Sequence, residues 1–195
     1  MFLAKVEDDV REVVEGNYTV TTRFLTPEEQ IIAKEAVRGR VRMFACGGYP
    51  EAERKVLAFC PDYISAVGEV DFGIRVVRVR TKQVSLGHRD YLGAVLSLGM
   101  KRETVGDIAL DGNGAWIFCM AEMAEYICRN LDKIGRASVT CEPMEVADAV
   151  IPPREFEIKD VGVASLRLDA VLAGILHNSR SKAVEIITAG EAFLN

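Results

Sequence analysis

The chain has 195 residues, 49% of them hydrophobic and 27% charged, with a formal net charge of −5. That is the balance of a globular protein with a real core, and it excludes a disordered or fibrous chain. A negative total also excludes any argument for nucleic-acid binding from overall charge, so such a role has to rest on local patches.

In chain order, Leu3, Val6, Val10, Val13 and Val14 recur at helical spacing, and Gly16-Asn17 stops that helix. Thr19–Leu25 is strand-like. Thr26-Pro27-Glu28-Glu29 then starts a helix, with Thr26 as cap, Pro27 in the first turn and Glu29 three residues on. Arg40–Cys46 alternates like a strand and ends at Gly47-Gly48. Tyr49–Phe59 is expected to be a short helix whose charged face carries Glu51, Glu53, Arg54 and Lys55. Phe72–Lys82 reads as a strand. It leads into an amphipathic helix from His88, with Leu92, Val95, Leu96 and Met100 on one face. Asp107–Met120 is a β-hairpin whose Asp111-Gly112-Asn113-Gly114 supplies the positive-φ turn. Ala121–Gly135 is expected to be a helix closed by Gly135, and Ala137–Pro143 a strand. Val150-Ile151-Pro152-Pro153 is the linker candidate. The expected fold class is α/β (α+β) and multi-domain: an N-terminal α/β domain over 1–73, a central α/β sandwich over 74–150, and a small module over 160–195.

The five cysteines (Cys46, Cys60, Cys119, Cys128, Cys141) never fall in a C-x-x-C spacing. With two histidines they suggest neither a zinc site nor a disulfide framework, and reduced thiols are expected. No apolar run approaches the ~20 residues of a membrane span. The acids of Lys5–Val10 argue against a signal peptide. A cytoplasmic, monomeric protein without metal, cofactor or membrane partner is the expectation.

Charge is segregated along the chain. Between residues 75 and 102 stand Arg75, Arg78, Arg80, Lys82, Arg89, Lys101 and Arg102 against Asp90 alone. Lys5, Arg11 and Arg23 are outnumbered in the first thirty residues by Glu7, Asp8, Asp9, Glu12, Glu15, Glu28 and Glu29. A basic segment of this kind suits phosphate contacts, although strands also carry Arg and Lys on solvated faces. His88-Arg89-Asp90-Tyr91 has the residue types of an acid–base cluster, but sequence neighbours do not face one another on a helix. Asp90 reads better as a first-turn acid. His88 and Tyr91 read as rings able to stack on bases, beside phosphate contacts from Arg89, Lys101 and Arg102.

Near the C-terminus, Leu168, Val171, Leu172 and Ile175 make one apolar helix face. Ser179 can cap a second helix whose face is Ala183, Ile186 and Ile187. Gly190 ends it, and Glu191–Asn195 begins a strand. Such a hairpin puts Arg167, Arg180, Ser181 and Lys182 on one exposed rim suited to a phosphate backbone.

The pattern Arg167-Leu168-Asp169-x-x-Leu172, then Ser179-Arg180-Ser181-x-Ala183, then Ile187-x-x-Gly190, resembles the S4 domain, a small RNA-binding module. That resemblance implies that Arg167, Ser179, Arg180, Ser181 and Lys182 face RNA and that Asp169 is architectural. The chain stops where the family's sheet continues, so a partial S4 domain, cut short, is expected. Upstream, Phe44–Tyr63, His88–Leu110 and Asn130–Val139 resemble the YlmH-type S4-domain proteins of bacteria. This implies an RRM-like central domain and a non-enzymatic role on the large ribosomal subunit. The implied partners are its rRNA and a tRNA, during ribosome-associated quality control of stalled nascent chains. The alternatives are an S4-bearing pseudouridine synthase with Asp169 as its catalytic aspartate, and a protein adaptor whose basic patch meets an acidic partner. Only 26 residues follow Asp169, and they match S4, which disfavours the enzyme.

Overall fold

The structure is a computed structural model and describes residues 2–82, 86–153, 160–189 and 192. The chain divides into two compact units, Met1–Pro152 and Pro153–Asn195, and the division falls within the Val150–Pro153 stretch.

In the first unit, α1 (Phe2–Gly16) buries Val6, Asp9, Val10 and Val13, a single stripe at helical spacing. Leu3 and Val14, which the spacing also placed on that stripe, are exposed. Strand β1 (Val20–Leu25) leads to α2 (Pro27–Val37), whose capping box forms as expected. The Thr26 hydroxyl accepts from Glu29 N, and Glu29 Oε2 accepts from Thr26 N at 2.8 Å. Strand β2 (Arg42–Cys46) follows.

The helix expected over Tyr49–Phe59 is instead a turn followed by β3 (Lys55–Cys60), the central strand of an antiparallel β1-β3-β2 sheet. Val56 through Cys60 are all buried. A strand covered on both faces shows no alternation in its hydrophobicity, which is why its period was misread. Arg54, expected on a solvated helix, is half-buried. It donates to Phe24 O at 2.9 Å and Val105 O at 3.2 Å.

The second sheet is built from β4 (Ile74–Thr81), β5 (Val105–Leu110), β6 (Gly114–Met120), β7 (Lys133–Ile134) and β8 (Ala137–Met144), ordered β5-β6-β4-β8-β7. Helices α3 (His88–Ser97) and α4 (Ala121–Asn130) pack on one face of it. The β4-α3-β5-β6-α4-β8 succession makes the RRM-like α/β sandwich. Asp90 caps α3 by accepting from Gly87 N at 2.8 Å. The β5–β6 turn carries Gly112 at φ 76 and Gly114 at φ 149; a Cβ on Gly114 would lie 1.9 Å from Val79 O. Helix α4 stops at Asn130 rather than running to Gly135. Gly135, at φ 59, turns the short β7–β8 hairpin.

The two sheets stack, giving four layers: α1 and α2, the three-stranded sheet, the five-stranded sheet, then α3 and α4. Alternation along β3 makes the joint. Leu57 and Phe59 point to α1 and α2, and Val56, Ala58 and Cys60 pack against Ile74, Val76, Trp116, Phe118 and Met120 of the second sheet. Tyr49 stacks on Phe118 with ring centroids 4.9 Å apart. Asp107 stitches the same joint, accepting from Tyr49 Oη (2.9 Å), Glu53 N (2.7 Å) and Arg54 N (3.1 Å). On the helix side, burial pushes the thiols of Cys119 and Cys141 up to about 12 and that of Cys128 to about 11.

The second unit is a helical hairpin, α5 (Leu168–Ile175) and α6 (Arg180–Thr188), with only Ala173 and Ala183 buried among its described residues. Leu172 is half-buried, so its truncation costs less than the ~2–5 kcal/mol of an enclosed leucine. A Cβ on Gly174 would meet Val161 Cγ1 at 2.6 Å, so glycine there lets that segment lie against α5. The expected strand Glu191–Asn195 and the stop at Gly190 lie outside the described residues, Ala192 apart.

Phe118→Ala is expected to destabilise the first unit by about 3–5 kcal/mol through loss of transfer energy and the cavity left between the sheets. The exposed Leu3→Ala should stay within roughly 0.5 kcal/mol. Urea unfolding followed by Trp116 fluorescence measures both.

Candidate nucleic-acid interface

The C-terminal hairpin begins with Arg167 at the cap of α5 and Asp169 in its first turn. Both Asp169 oxygens are engaged: Arg167 Nε donates to Oδ1 at 3.0 Å, and Arg180 Nη2 and Nε donate to Oδ2 at 2.6 and 3.2 Å. The carboxylate sits between the starts of the two helices and aims both guanidiniums, whose side chains stay 71% and 60% exposed. Ser179 caps α6, its Oγ accepting from Lys182 N at 3.2 Å, so its hydroxyl has an architectural task. Ser181 and Lys182 are exposed, with Lys182 Nζ 2.8 Å from Glu185 Oε2. Arg167, Arg180, Ser181 and Lys182 thus share the helix starts, with Asp169 as the clamp behind them.

The basic segment 75–102 is dispersed by the fold. Arg75 pairs with Glu145 at 3.0 Å and Arg80 with Glu142 at 3.2 Å. Arg78 is buried; it lies 4.5 Å over the Trp116 ring and pairs with Asp111 at 2.6 Å. These acids come from residues beyond the segment, so the linear count overstated the positive surface. Tyr91, expected to stack on bases, is 1% exposed and belongs to the core under α3, because helical spacing carries it onto the same face as Val95. His88 and Arg89 are exposed at the first turn of α3. Arg102, expected as a phosphate contact, is half-buried and donates to the carbonyls of Val105 and Gly106. Burial, and then the like charge of Arg54, lower its pKa to about 10. Lys101 is exposed at the mouth of a 580 Å³ cleft, where Asp9, Glu29 and Glu103 offset the bases.

The other face of the five-stranded sheet, where RRM domains stack bases on aromatic rings, is covered by the three-stranded sheet. Trp116 and Phe118 are 8% and 0% exposed. Beyond the covered part, the end of β4 opens into a cleft of about 840 Å³ that draws together Arg80, Lys82, Asn113 and Arg136. The sequence reading noted Arg80 and Lys82 for their charge and passed over Arg136 and Asn113. The Asp111–Gly114 turn was legible, but Arg136 stood just past an expected helix end at Gly135, and the convergence of the two depends on strand order. Among the described residues no group of three or more His, Cys, Asp or Glu could hold a metal ion, and no helix is long and apolar enough to cross a membrane.

Arg180, and then Arg167, hold the Asp169 carboxyl below its ordinary 3.8. A lowered folded-state pKa stabilises the hairpin above the unfolded value, and that contribution is lost as pH falls through the folded one. Carboxyl-detected NMR titration should therefore place the Asp169 midpoint below 3.8, and Arg180→Ala should raise it. An unchanged midpoint in that variant would remove the clamp.

The comparisons with known proteins agree with this architecture. The family model described as "Putative RNA-binding domain in YlmH" matches residues 68–148. The chain is 36% identical over 190 residues to the Ribosome-associated protein quality control protein P2 of Bacillus subtilis (strain 168), covering 95% of this chain and 73% of that protein. The solved structure of the Cell division protein ylmH from Streptococcus pneumoniae superposes with a TM-score of 0.65 at 20% identity, covering 76% of this chain and 92% of the other; at that identity the likeness is one of fold. With an α+β fold shared with a YlmH structure, and 36% identity to this relative across 95% of its own length, the chain belongs to the YlmH family.

Proposed function

We propose that this chain is a non-catalytic RNA-binding protein that works on the ribosome. Its C-terminal rim would hold rRNA of the large subunit and a tRNA while a stalled nascent chain is processed. The observation that carries this reading is the Arg167–Asp169–Arg180 clamp. It presents two guanidiniums, with Ser181 and Lys182 beside them, and the resemblance to the S4 domain puts these residues against RNA. Charged donors fixed in advance suit phosphate oxygens. The family's RNA-binding domain over residues 68–148 and the quality-control name of the Bacillus subtilis relative support the same role. Asp169, with both oxygens taken by arginines, fits an architectural part better than that of a catalytic aspartate.

The test is co-sedimentation of the full chain with ribosomal particles from a bacterial lysate across a salt series. Salt-sensitive migration with free large subunits is the expected outcome. Arg167→Ala and Lys182→Ala should each weaken association and flatten its log–log salt slope by roughly 0.7–0.9, the value of one phosphate contact. Wild-type behaviour of both variants at every salt concentration would remove the rim from the interface.

A further inference from the structure

We propose that the cleft at the end of β4 is a second RNA site, one that grips the sugar-phosphate backbone of a single-stranded segment without reading its bases. The proposal deepens the RNA-binding reading above and rests on it.

The site is built by three elements. β4 ends at Thr81; the β5–β6 turn stands on one side and the β7–β8 hairpin on the other. The first wall is fixed. Asp111 Oδ1 accepts from Asn113 N at 3.1 Å, and Asp111 Oδ2 takes Arg78 Nη2 at 2.6 Å and Trp116 Nε1 at 3.2 Å. Asn113 O accepts from Thr81 N at 3.1 Å, and the absent Cβ of Gly114 lets the turn reach the β4 backbone. The second wall is the Gly135-Arg136 turn and the start of β8, where Ser138 and Thr140 are exposed. A buried arginine and a buried tryptophan therefore hold in place a turn that would otherwise be free to move.

The chemistry of this lining selects its occupant. Arg80, Lys82 and Arg136 bring three cations together. Among the described residues only Arg80 is matched, by Glu142 at 3.2 Å on an exposed pair that solvent screens. Lys82 and Arg136 are exposed and make no ion pair with a described residue. Asn113, Ser138 and Thr140 add amide and hydroxyl groups that can meet ribose hydroxyls. No aromatic ring is among the described lining residues, and these residues therefore suit a backbone better than a stacked base. A volume of about 840 Å³ suits one or two nucleotides. The whole lining lies inside residues 68–148, the part matched by the RNA-binding family model. With the sheet face covered, this end of the sheet is where that domain presents cations to a backbone.

The experiment measures fluorescence anisotropy of labelled oligouridylate and oligoadenylate with the full chain, at salt from about 50 to 200 mM. Four proteins are compared: wild type, Lys82→Ala/Arg136→Ala, Arg167→Ala/Lys182→Ala, and the four combined. The cleft variant should bind both oligomers roughly tenfold more weakly at low salt. Its slope should fall by about 1.4, so the deficit shrinks roughly sevenfold across that range. The two oligomers should bind wild type alike. If the cleft variant matches wild type while the rim variant loses binding, the cleft proposal fails and the rim stands. The reverse pattern supports the cleft and removes the rim for single strands. Wild-type binding by all the variants removes both. A strong preference for one base overturns the backbone-only assignment, and equal binding of an oligoglutamate peptide overturns RNA as the occupant.

Discussion

The constraint on which the first unit depends is that β3 is covered on both faces. Its odd residues, Leu57 and Phe59, close the core under α1 and α2. Its even residues, Val56, Ala58 and Cys60, close the core against β4 and β6. One strand thereby joins two sheets, and the Tyr49–Phe118 stack with the three hydrogen bonds to Asp107 fixes their alignment. The consequence is functional as much as structural. The aromatic face of the RRM-like sandwich becomes an internal joint, which leaves the strand ends and turns as the surfaces open to a partner.

Charge follows the same logic. Counted along the chain, residues 75–102 are strongly basic. In the fold, β4 is a central strand whose neighbours bring Asp111, Glu142 and Glu145 alongside Arg78, Arg80 and Arg75. Pairing with exposed acids screens two of these arginines, and burial over Trp116 makes Arg78 a structural cation. The cations left unmatched among the described residues are set by strand order, with Lys82 and Arg136 meeting across 54 residues of sequence.

What could be read from the sequence was what local chemistry determines. The capping box at Thr26 and Glu29, the first-turn role of Asp90, the glycine turn between β5 and β6, and the Ser179 cap each depend on a few neighbouring residues, and each stands in the fold. The misreadings share a different cause. β3 lacks alternation because both its faces are buried. The run after Asn130 keeps apolar residues at Leu131 and Ile134, which suit a helix until β8 supplies a pairing partner. Tyr91 and Arg102 have the residue types of RNA contacts, but their burial depends on tertiary packing. The rim at Arg167 and Arg180 was legible because its residues lie within one short hairpin. The cleft at the end of β4 was not, since three separate elements build it.

The sulfur atoms packed against α4 carry one more consequence. While the helix–sheet core is closed, Cys119, Cys128 and Cys141 are held as neutral thiols by burial, and a neutral thiol is a poor nucleophile. Opening that core returns them toward the ordinary cysteine value near 8.5 and, for Cys119, uncovers the sulfur in the same event. At Cys119, which is fully enclosed, alkylating and oxidising reagents then meet thiolate only in molecules whose core has opened. The rate at which Cys119 is modified is therefore a chemical clock for local unfolding of the layer that α3 and α4 cover.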